Sequence, residues 1–254
     1  MAHEAMRGVG LVTGAGRRIG RSIALELAHS GFDVAVHYGA SADAAVEVVR
    51  AIEALGRRGL AIGCDLANTG AVQNLIPQIA SALGPVTCLV NSASAFLDDR
   101  IEALDPAVWD QQHAVNLRAP VLLAKALVDG LPVGQQGNIV NIIDQRVWRL
   151  TPQYFSYTAS KAGLWAVTRT LAQALAPRIR VNGVGPGPVL KNVLQTDEEF
   201  ALEAGATPLG RATSPDEIAA AVRFILDAPA MTGQMIALDG GQHLAWKTPD
   251  VIGF

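Results

Sequence analysis

The chain is predicted to fold as a single α/β domain, doubly wound around a seven-stranded parallel sheet. Three observations carry this expectation. Seven short apolar runs, near residues 8–13, 33–37, 59–64, 87–91, 137–143, 179–184 and 234–238, alternate with segments of helical periodicity. That is the pattern of parallel strands joined by crossover helices. A glycine-rich turn follows the first run directly and opens a helix. The 254 residues, half of them hydrophobic, suffice for one sizeable core over 1–254, and no repeat, linker or low-complexity tract divides them. Crossovers of this length are almost always right-handed, so a Rossmann-type strand order follows.

Taken in order, Gly8 to Val12 reads as the first buried strand, and Thr13-Gly14-Ala15-Gly16-Arg17-Arg18-Ile19-Gly20 leads into an amphipathic helix. Small residues there let the backbone approach a pyrophosphate, whose charge the free N–H groups and the positive helix end stabilise. The second strand runs out through Val36-His37-Tyr38-Gly39-Ala40-Ser41 with no carboxylate, and the third through Gly63-Cys64-Asp65. Asp65 is also a reasonable N-cap for the next helix. The fourth strand leads into Asn91-Ser92-Ala93-Ser94 and the fifth ends at Asp144.

Thirteen residues after Asp144 comes the pair Tyr157-x-x-x-Lys161. Residues four apart share one helix face, so the Lys161 ammonium can sit close to the Tyr157 phenol. A fixed cation favours phenolate, which makes Tyr157 a candidate general acid or base. The sixth strand passes into Gly185-Pro186-Gly187. The stretch 186–207, rich in Pro, Gly and acidic residues, reads as a mobile loop with a short helix over a substrate or, equally, as a passive surface excursion. The tail, 242–254, carries apolar residues that a monomer would leave exposed.

A net charge of −3 gives no basic surface for nucleic acid or an anionic membrane. No run approaches eighteen apolar residues and the opening MAHEAMRG has no hydrophobic signal core, so a cytoplasmic protein is expected. Cys64 and Cys88 lie in apolar strand-like runs and read as reduced core residues, with no metal site.

The glycine turn, Asn91-Ser92-Ala93-Ser94, Asn116 in His113-Ala114-Val115-Asn116, Tyr157-x-x-x-Lys161 and Arg180-Val181-Asn182-Gly183-Val184-Gly185-Pro186-Gly187 stand in order along nearly the whole chain. Together they resemble the short-chain dehydrogenase/reductase family. Two departures narrow the likeness: Arg18 stands where the family turn has its second glycine, and Asp144 where it has a catalytic serine. Both occur in the pteridine reductase branch and the related dihydromonapterin reductases, which the N-x-A-S-x-F segment and Leu238-Asp239-Gly240-Gly241-Gln242-His243-Leu244 also resemble.

The resemblance implies catalytic roles for Asp144, Tyr157, Lys161 and Asn116. It implies nicotinamide cofactor contacts from Gly14, Arg17, Arg18, Ile19, Gly20, His37, Ser41, Asp65, Leu66, Asn91, Ala93, Tyr157, Lys161, Pro186 and Gly187. Substrate contacts would come from Arg18, Ser94, Phe96, Asp144, Trp148 and Tyr157, with Phe96 stacked on a pterin ring. The absence of a carboxylate after the second strand, with Arg17, His37 and Ser41 as donors to a 2′-phosphate, points to NADPH. The expected activity is reduction of a dihydropterin by a homotetramer whose tail packs on a neighbouring protomer. A carbonyl or 3-oxoacyl reductase of the same fold is the alternative, and a non-catalytic NADP-binding sensor a more distant one. Asp144 separates the first two. A serine donates to a carbonyl oxygen, whereas an ionised carboxylate only accepts and suits the N–H groups of a pterin edge.

Overall fold

The structure is a computed structural model that describes residues 7–192 and 195–246. Seven strands, β1 (Val9–Val12), β2 (Asp33–Tyr38), β3 (Gly59–Gly63), β4 (Val86–Asn91), β5 (Gly137–Ile142), β6 (Ile179–Pro186) and β7 (Met235–Leu238), form one sheet in the order β3-β2-β1-β4-β5-β6-β7. Every pairing is parallel. The observed strands match the expected runs to within a few residues. Parallel strands buried on both faces need apolar side chains at consecutive positions. Val34 and Val36 pack into the core on one face and Ala35 into the core on the other; Cys88 and Val90 alternate with Leu89 in the same way.

The two cores are closed by helices of different composition. On one face lie α1 (Arg18–His29), α2 (Ala42–Ala54) and α8 (Pro215–Asp227), which bury Ile23 and Leu27, Val48 and Ile52, and Ile218, Val222 and Ile225. On the other lie α3 (Thr69–Leu83), α5 (Ala119–Gly130) and α6 (Phe155–Leu175), with Leu75, Ile79, Leu123 and Leu127 turned inward. These are the i, i+4 stripes of amphipathic helices. Full burial of each such leucine or isoleucine contributes about 1.5–3 kcal/mol. α4 (Pro106–His113) runs into α5 through a π-helical turn, Ala114–Arg118, which carries Asn116 with its side chain buried.

Helix ends are fixed by particular side chains. Asn68, not Asp65, caps α3 by accepting from the Ala71 N–H at 3.0 Å. α7 (Asp197–Gly205) and α8 each start with a capping box, Thr196 with Glu199 and Ser214 with Glu217. α6 has no such local cap. The residue before it, Tyr154, is left-handed at φ 55°, and the orphan N–H of Ser156 donates instead to the Asp99 carboxylate, 57 positions earlier, at 3.1 and 3.2 Å. The tyrosine-bearing helix is thus anchored by a distant loop. Cys88 is a free thiol buried in the core, where desolvation pushes its pKa to about 12. Cys64, expected in the core as well, is free but only partly buried, because it lies just past the end of β3. Residues 247–254 of the tail fall outside the described residues; Leu244, before them, is 60 % exposed.

The carboxyl end of α8 depends on one residue of β6. The Arg180 guanidinium donates to the carbonyls of Ile225, Leu226, Ala228 and Met231 at 2.9–3.0 Å. A helix terminus leaves its last carbonyls short of intrahelical donors; Ile225 and Ala228 each accept one backbone N–H and Met231 the Asn182 amide, and Arg180 adds a charged donor to all four. Replacement Arg180→Met should lower the unfolding free energy by about 2–3 kcal/mol in urea titration. An unchanged midpoint would show that water satisfies these carbonyls equally well.

Candidate active site

The chain winds outward from β1 to β3 and returns to β4, so the strand order reverses between β1 and β4. In doubly wound sheets, ligands bind outside the carboxyl ends of the strands at such a point. A cleft of about 1110 Å³ opens there. Its floor is the turn after β1. The Thr13 hydroxyl accepts the N–H groups of Ser92 and Ala93 at 2.9 and 3.0 Å and ties this turn to the one after β4. Gly14 has φ 66°, and a Cβ there would stand 2.9 Å from the Ala93 Cα; one on Gly20 would stand 2.3 Å from the Gly14 carbonyl oxygen. No side chain fits at either position. The surface left open is bare backbone at the start of α1, suited to a pyrophosphate.

Gly14, Arg17, Arg18, Ile19 and Gly20 all line the cleft. Arg18 adopts φ 53°, the left-handed conformation that explains why a glycine is usual there. For an arginine it costs roughly 1–2 kcal/mol. Its guanidinium crosses to the segment after β6 and donates to the Leu190 and Lys191 carbonyls, both at 2.9 Å. Arg17 is exposed, and among the described residues no hydrogen bond or ion pair engages its side chain. Ser41 lies outside the cleft lining, at the start of α2. Its hydroxyl makes no capping bond and would stand 3.0 Å from a Cβ on Gly16. Asp65, Leu66, Ala93, Pro186 and Gly187 line the cleft, with Gly187 pressed against the Asp239 backbone.

Two expected cofactor contacts are corrected. His37 reaches the cleft, but Nδ1 accepts the Gly14 N–H at 3.1 Å and Nε2 faces the Cys64 carbonyl at 2.9 Å. The first contact requires an unprotonated Nδ1 and the second a proton on Nε2. Both nitrogens are therefore engaged and none is left to donate to a phosphate. Burial lowers the His37 pKa, which keeps this neutral tautomer. Asn91 does not line the cleft; its amide donates to Asn141 Oδ1 at 2.8 Å, because the two are register partners on β4 and β5 and their side chains stand side by side on one face of the sheet.

At the other end of the cleft the Tyr157 hydroxyl donates to Asp144 Oδ2 at 2.9 Å, while Asp144 Oδ1 accepts the Arg146 N–H at 2.7 Å. Lys161 Nζ donates to the Ile142 carbonyl at 2.8 Å and lies 5.7 Å from the Tyr157 ring centroid. These three side chains come together as expected, with one change of sign. The phenol of Tyr157 is held well above its ordinary value, by burial and then by the Asp144 carboxylate. A carboxylate in hydrogen-bond contact outweighs an ammonium across the ring, so Tyr157 is a protonated donor and not a phenolate. Burial also raises the Asp144 pKa, against the opposing Arg146 and Lys161.

Asn116 does not line the cleft. Its amide accepts from Ala95 N–H and donates to the Ala95 carbonyl, each at 2.8 Å, and donates to Ser160 Oγ at 3.1 Å. It holds the 94–95 segment against α6, a positioning role in place of the catalytic one expected. Ser94 and Phe96 line the cleft. The Phe96 ring meets Tyr157 edge-on at 4.7 Å and stacks on Tyr154 at 4.5 Å. Trp148 does not reach the cleft: it is 44 % exposed and packs edge-on against His243, itself bonded to buried Asp239 at 2.7 Å. The short turn after Asp144 rotates it outward, and Gln145 and Arg146 face the cleft in its place. Thr13, Arg146, Tyr154 and Glu203 were not singled out from the sequence. Among them only Thr13 has a sequence signal, its place before the glycine turn. Among the described residues no group of three or more His, Cys, Asp or Glu side chains could hold a metal ion.

A phosphate-adapted turn at the switch point, faced by a proton-donating phenol, is the working arrangement of a dinucleotide-dependent oxidoreductase. More particularly, the chain belongs to the short-chain dehydrogenase/reductase family: residues 14–243 match the family model described as enoyl-(acyl carrier protein) reductase. The 3-oxoacyl-[acyl-carrier-protein] reductase FabG of Staphylococcus epidermidis is 35% identical over 241 residues, 92% of this chain and 98% of that protein. The crystal structure of FolM alternative dihydrofolate reductase 1 from Brucella suis in complex with NADP is 48% identical with a TM-score of 0.93, covering 96% of this chain and 98% of that one. Its counterpart from Brucella canis, also with NADP, is 48% identical with a TM-score of 0.94, covering 99% and 100%.

Burial pulls the Lys161 ammonium from an ordinary 10.5 to about 8, with Asp144 opposing. A lysine with a lowered folded pKa binds fewer protons folded than unfolded between those two values, so stability rises with pH across that window. Without cofactor, wild-type stability relative to Lys161→Met should therefore grow by about 3 kcal/mol between pH 7 and pH 10.5, read from denaturant unfolding. A pH-independent difference would mean that the buried ammonium is solvated.

Proposed function

We propose that this chain is an NADPH-dependent pteridine reductase that reduces a dihydropterin to its tetrahydro form. The observation that carries the reading is Asp144, in the place of a serine, bonded to the Tyr157 hydroxyl at 2.9 Å beside a buried Lys161. When bound, the nicotinamide supplies a hydride to a carbon of the substrate C=N bond. The chain's own groups do the rest. Tyr157 delivers a proton to the ring nitrogen, and its raised pKa means that the proton is present at neutral pH. Asp144 accepts from the N–H and amino donors of a pterin edge, and a proton it takes up from solvent replaces the one that Tyr157 gives. Lys161 Nζ keeps donors beyond the one on Ile142 for ribose hydroxyls. Phe96, stacked on Tyr154 and lining the cleft, would pack against a flat heterocycle.

The turn residues Gly14 to Gly20 would hold the pyrophosphate, and Arg17, with Ser41, the 2′-phosphate. The FolM structures, both with NADP, support the cofactor and the substrate class together. The FabG relatives favour a second reading, reduction of a 3-oxoacyl group. Against it stands the chemistry of Asp144: a carboxylate beside the reacting carbonyl repels a developing alkoxide. Assembly as a homotetramer in the cytoplasm belongs to the same proposal. Among the described residues no helix is long and apolar enough to cross a membrane.

Purified protein should oxidise NADPH with dihydrobiopterin, dihydromonapterin or dihydrofolate and leave simple ketones untouched. Asp144→Ser should cut kcat/KM for the dihydropterin by about 100-fold or more. Full pterin turnover by that variant would end the proposed role, and wild-type activity confined to ketones would replace the reading with the 3-oxoacyl one. Arg17→Ala should raise KM for NADPH about tenfold while leaving KM for NADH in place; an equal rise for both cofactors would remove Arg17 from the 2′-phosphate.

A further inference from the structure

Among the described residues three carboxylates line the cleft: Asp65 at the nucleotide end, Asp144 in the proton-delivery pair, and Glu203. The first two have roles in the reading above. Glu203 projects from α7, a helix with Asp197, Glu198, Glu199 and Glu203 and no basic residue. Of these, Asp197 is paired with Lys191 at 2.6 Å and Glu199 closes the capping box with Thr196. Glu203 is aimed by amides: Gln195 Nε2 donates to Oε2 at 2.7 Å, and Gln242 Nε2 stands 3.5 Å from Oε1. Neutral partners orient a carboxylate without cancelling its charge.

The position of Glu203 along the cleft follows from the aromatic cluster. Phe96 stacks on Tyr154 and meets Tyr157 edge-on, so Tyr154 stands at the end where the substrate must lie, beyond the reacting atoms. The Tyr154 hydroxyl is raised above its ordinary value by burial and then by Asp98, with Glu203 and Glu199 adding to this and Arg146 opposing. Charges of both signs thus act on the Tyr154 hydroxyl: Asp98, Glu199 and Glu203 against the Arg146 guanidinium. That guanidinium is already engaged, with Nη1 on Thr151 Oγ1 at 2.5 Å and its plane over the Tyr154 ring at 5.2 Å. Of these carboxylates it is Glu203 that lines the cleft.

We propose that Glu203 is a specificity-determining residue that selects the substituent carried by the pterin ring, accepting hydrogen bonds from a neutral hydroxylated side chain and repelling the carboxylates of a glutamate-bearing one. This rests on the pteridine reductase reading. A hydroxylated side chain supplies O–H donors that a carboxylate binds in charge-assisted fashion. A glutamate tail brings two negative charges towards the same wall, and at partly buried sites such repulsion is only partly screened.

The test compares kcat/KM for dihydrofolate and for dihydromonapterin at saturating NADPH in wild type, Glu203→Gln and Glu198→Gln. Glutamine keeps the shape and, through its one carbonyl oxygen, the shorter contact with Gln195, while removing the charge. The dihydrofolate-to-dihydromonapterin ratio should rise about three- to tenfold in Glu203→Gln and stay at the wild-type value in Glu198→Gln, which removes an equal charge from the same helix outside the cleft. In wild type, added salt should raise the ratio, and in Glu203→Gln it should do so less steeply. An unchanged ratio in Glu203→Gln, or an equal rise in Glu198→Gln, overturns the proposal. If wild type turns over neither pterin, it is the underlying reductase reading that has failed, a different result from turnover with an unmoved ratio.

Discussion

The cleft depends on one junction, the contact between the turn after β1 and the turn after β4. Thr13 accepts two N–H groups from the second turn, and Gly14 approaches Ala93 more closely than any side chain would allow. His37 ties in the end of β2, accepting the Gly14 N–H while its own carbonyl receives the Ala15 N–H at 2.8 Å. Three strand ends are locked into one backbone surface. Had any of these hydrogen bonds been left to solvent, the bare amides that suit a pyrophosphate would not be held in one arrangement.

Opposite this surface, the reacting end is governed by burial acting on a small set of charges. Asp144, Tyr157 and Lys161 sit together in a low-dielectric corner, where each neutral form is favoured and each charged form needs a neighbour. The phenol keeps its proton because the carboxylate is in contact with it, and the ammonium persists because a carbonyl and that same carboxylate face it. The result is one donor and one acceptor side by side, which complements a heterocycle edge better than a single carbonyl oxygen.

Arg18 joins the two ends. It takes a left-handed conformation at the start of α1, and its guanidinium bridges to Leu190 and Lys191, while Lys191 pairs with Asp197 at the start of α7. A strained backbone position is tolerated where the surrounding contacts over-determine it. Here those contacts carry the glycine turn into the segment after β6 that lines the cleft. The helix reached in this way is the acidic α7, so the residue that departs from the glycine pattern also positions the wall bearing Glu203.

The sheet was legible in the sequence because strands buried on both faces must be apolar throughout, as Val34, Ala35 and Val36 are, and the turn because Gly14 and Gly20 have no room for a Cβ. Tyr157 and Lys161 were legible because helix geometry places residues four apart on one face. What could not be read were the roles set by distant partners. His37 is committed to Cys64, 27 positions away, Asn116 to Ala95, and Asn91 to Asn141 across the sheet, so three polar residues assigned to the cofactor or the chemistry serve the frame instead. The sign of the Tyr157 shift and the outward turn of Trp148 were hidden for the same reason. Local periodicity determines which elements form and which residues share a face; only the packing of those elements determines which neighbour is nearest, and in a buried site the nearest neighbour fixes both the charge of a group and what it can do.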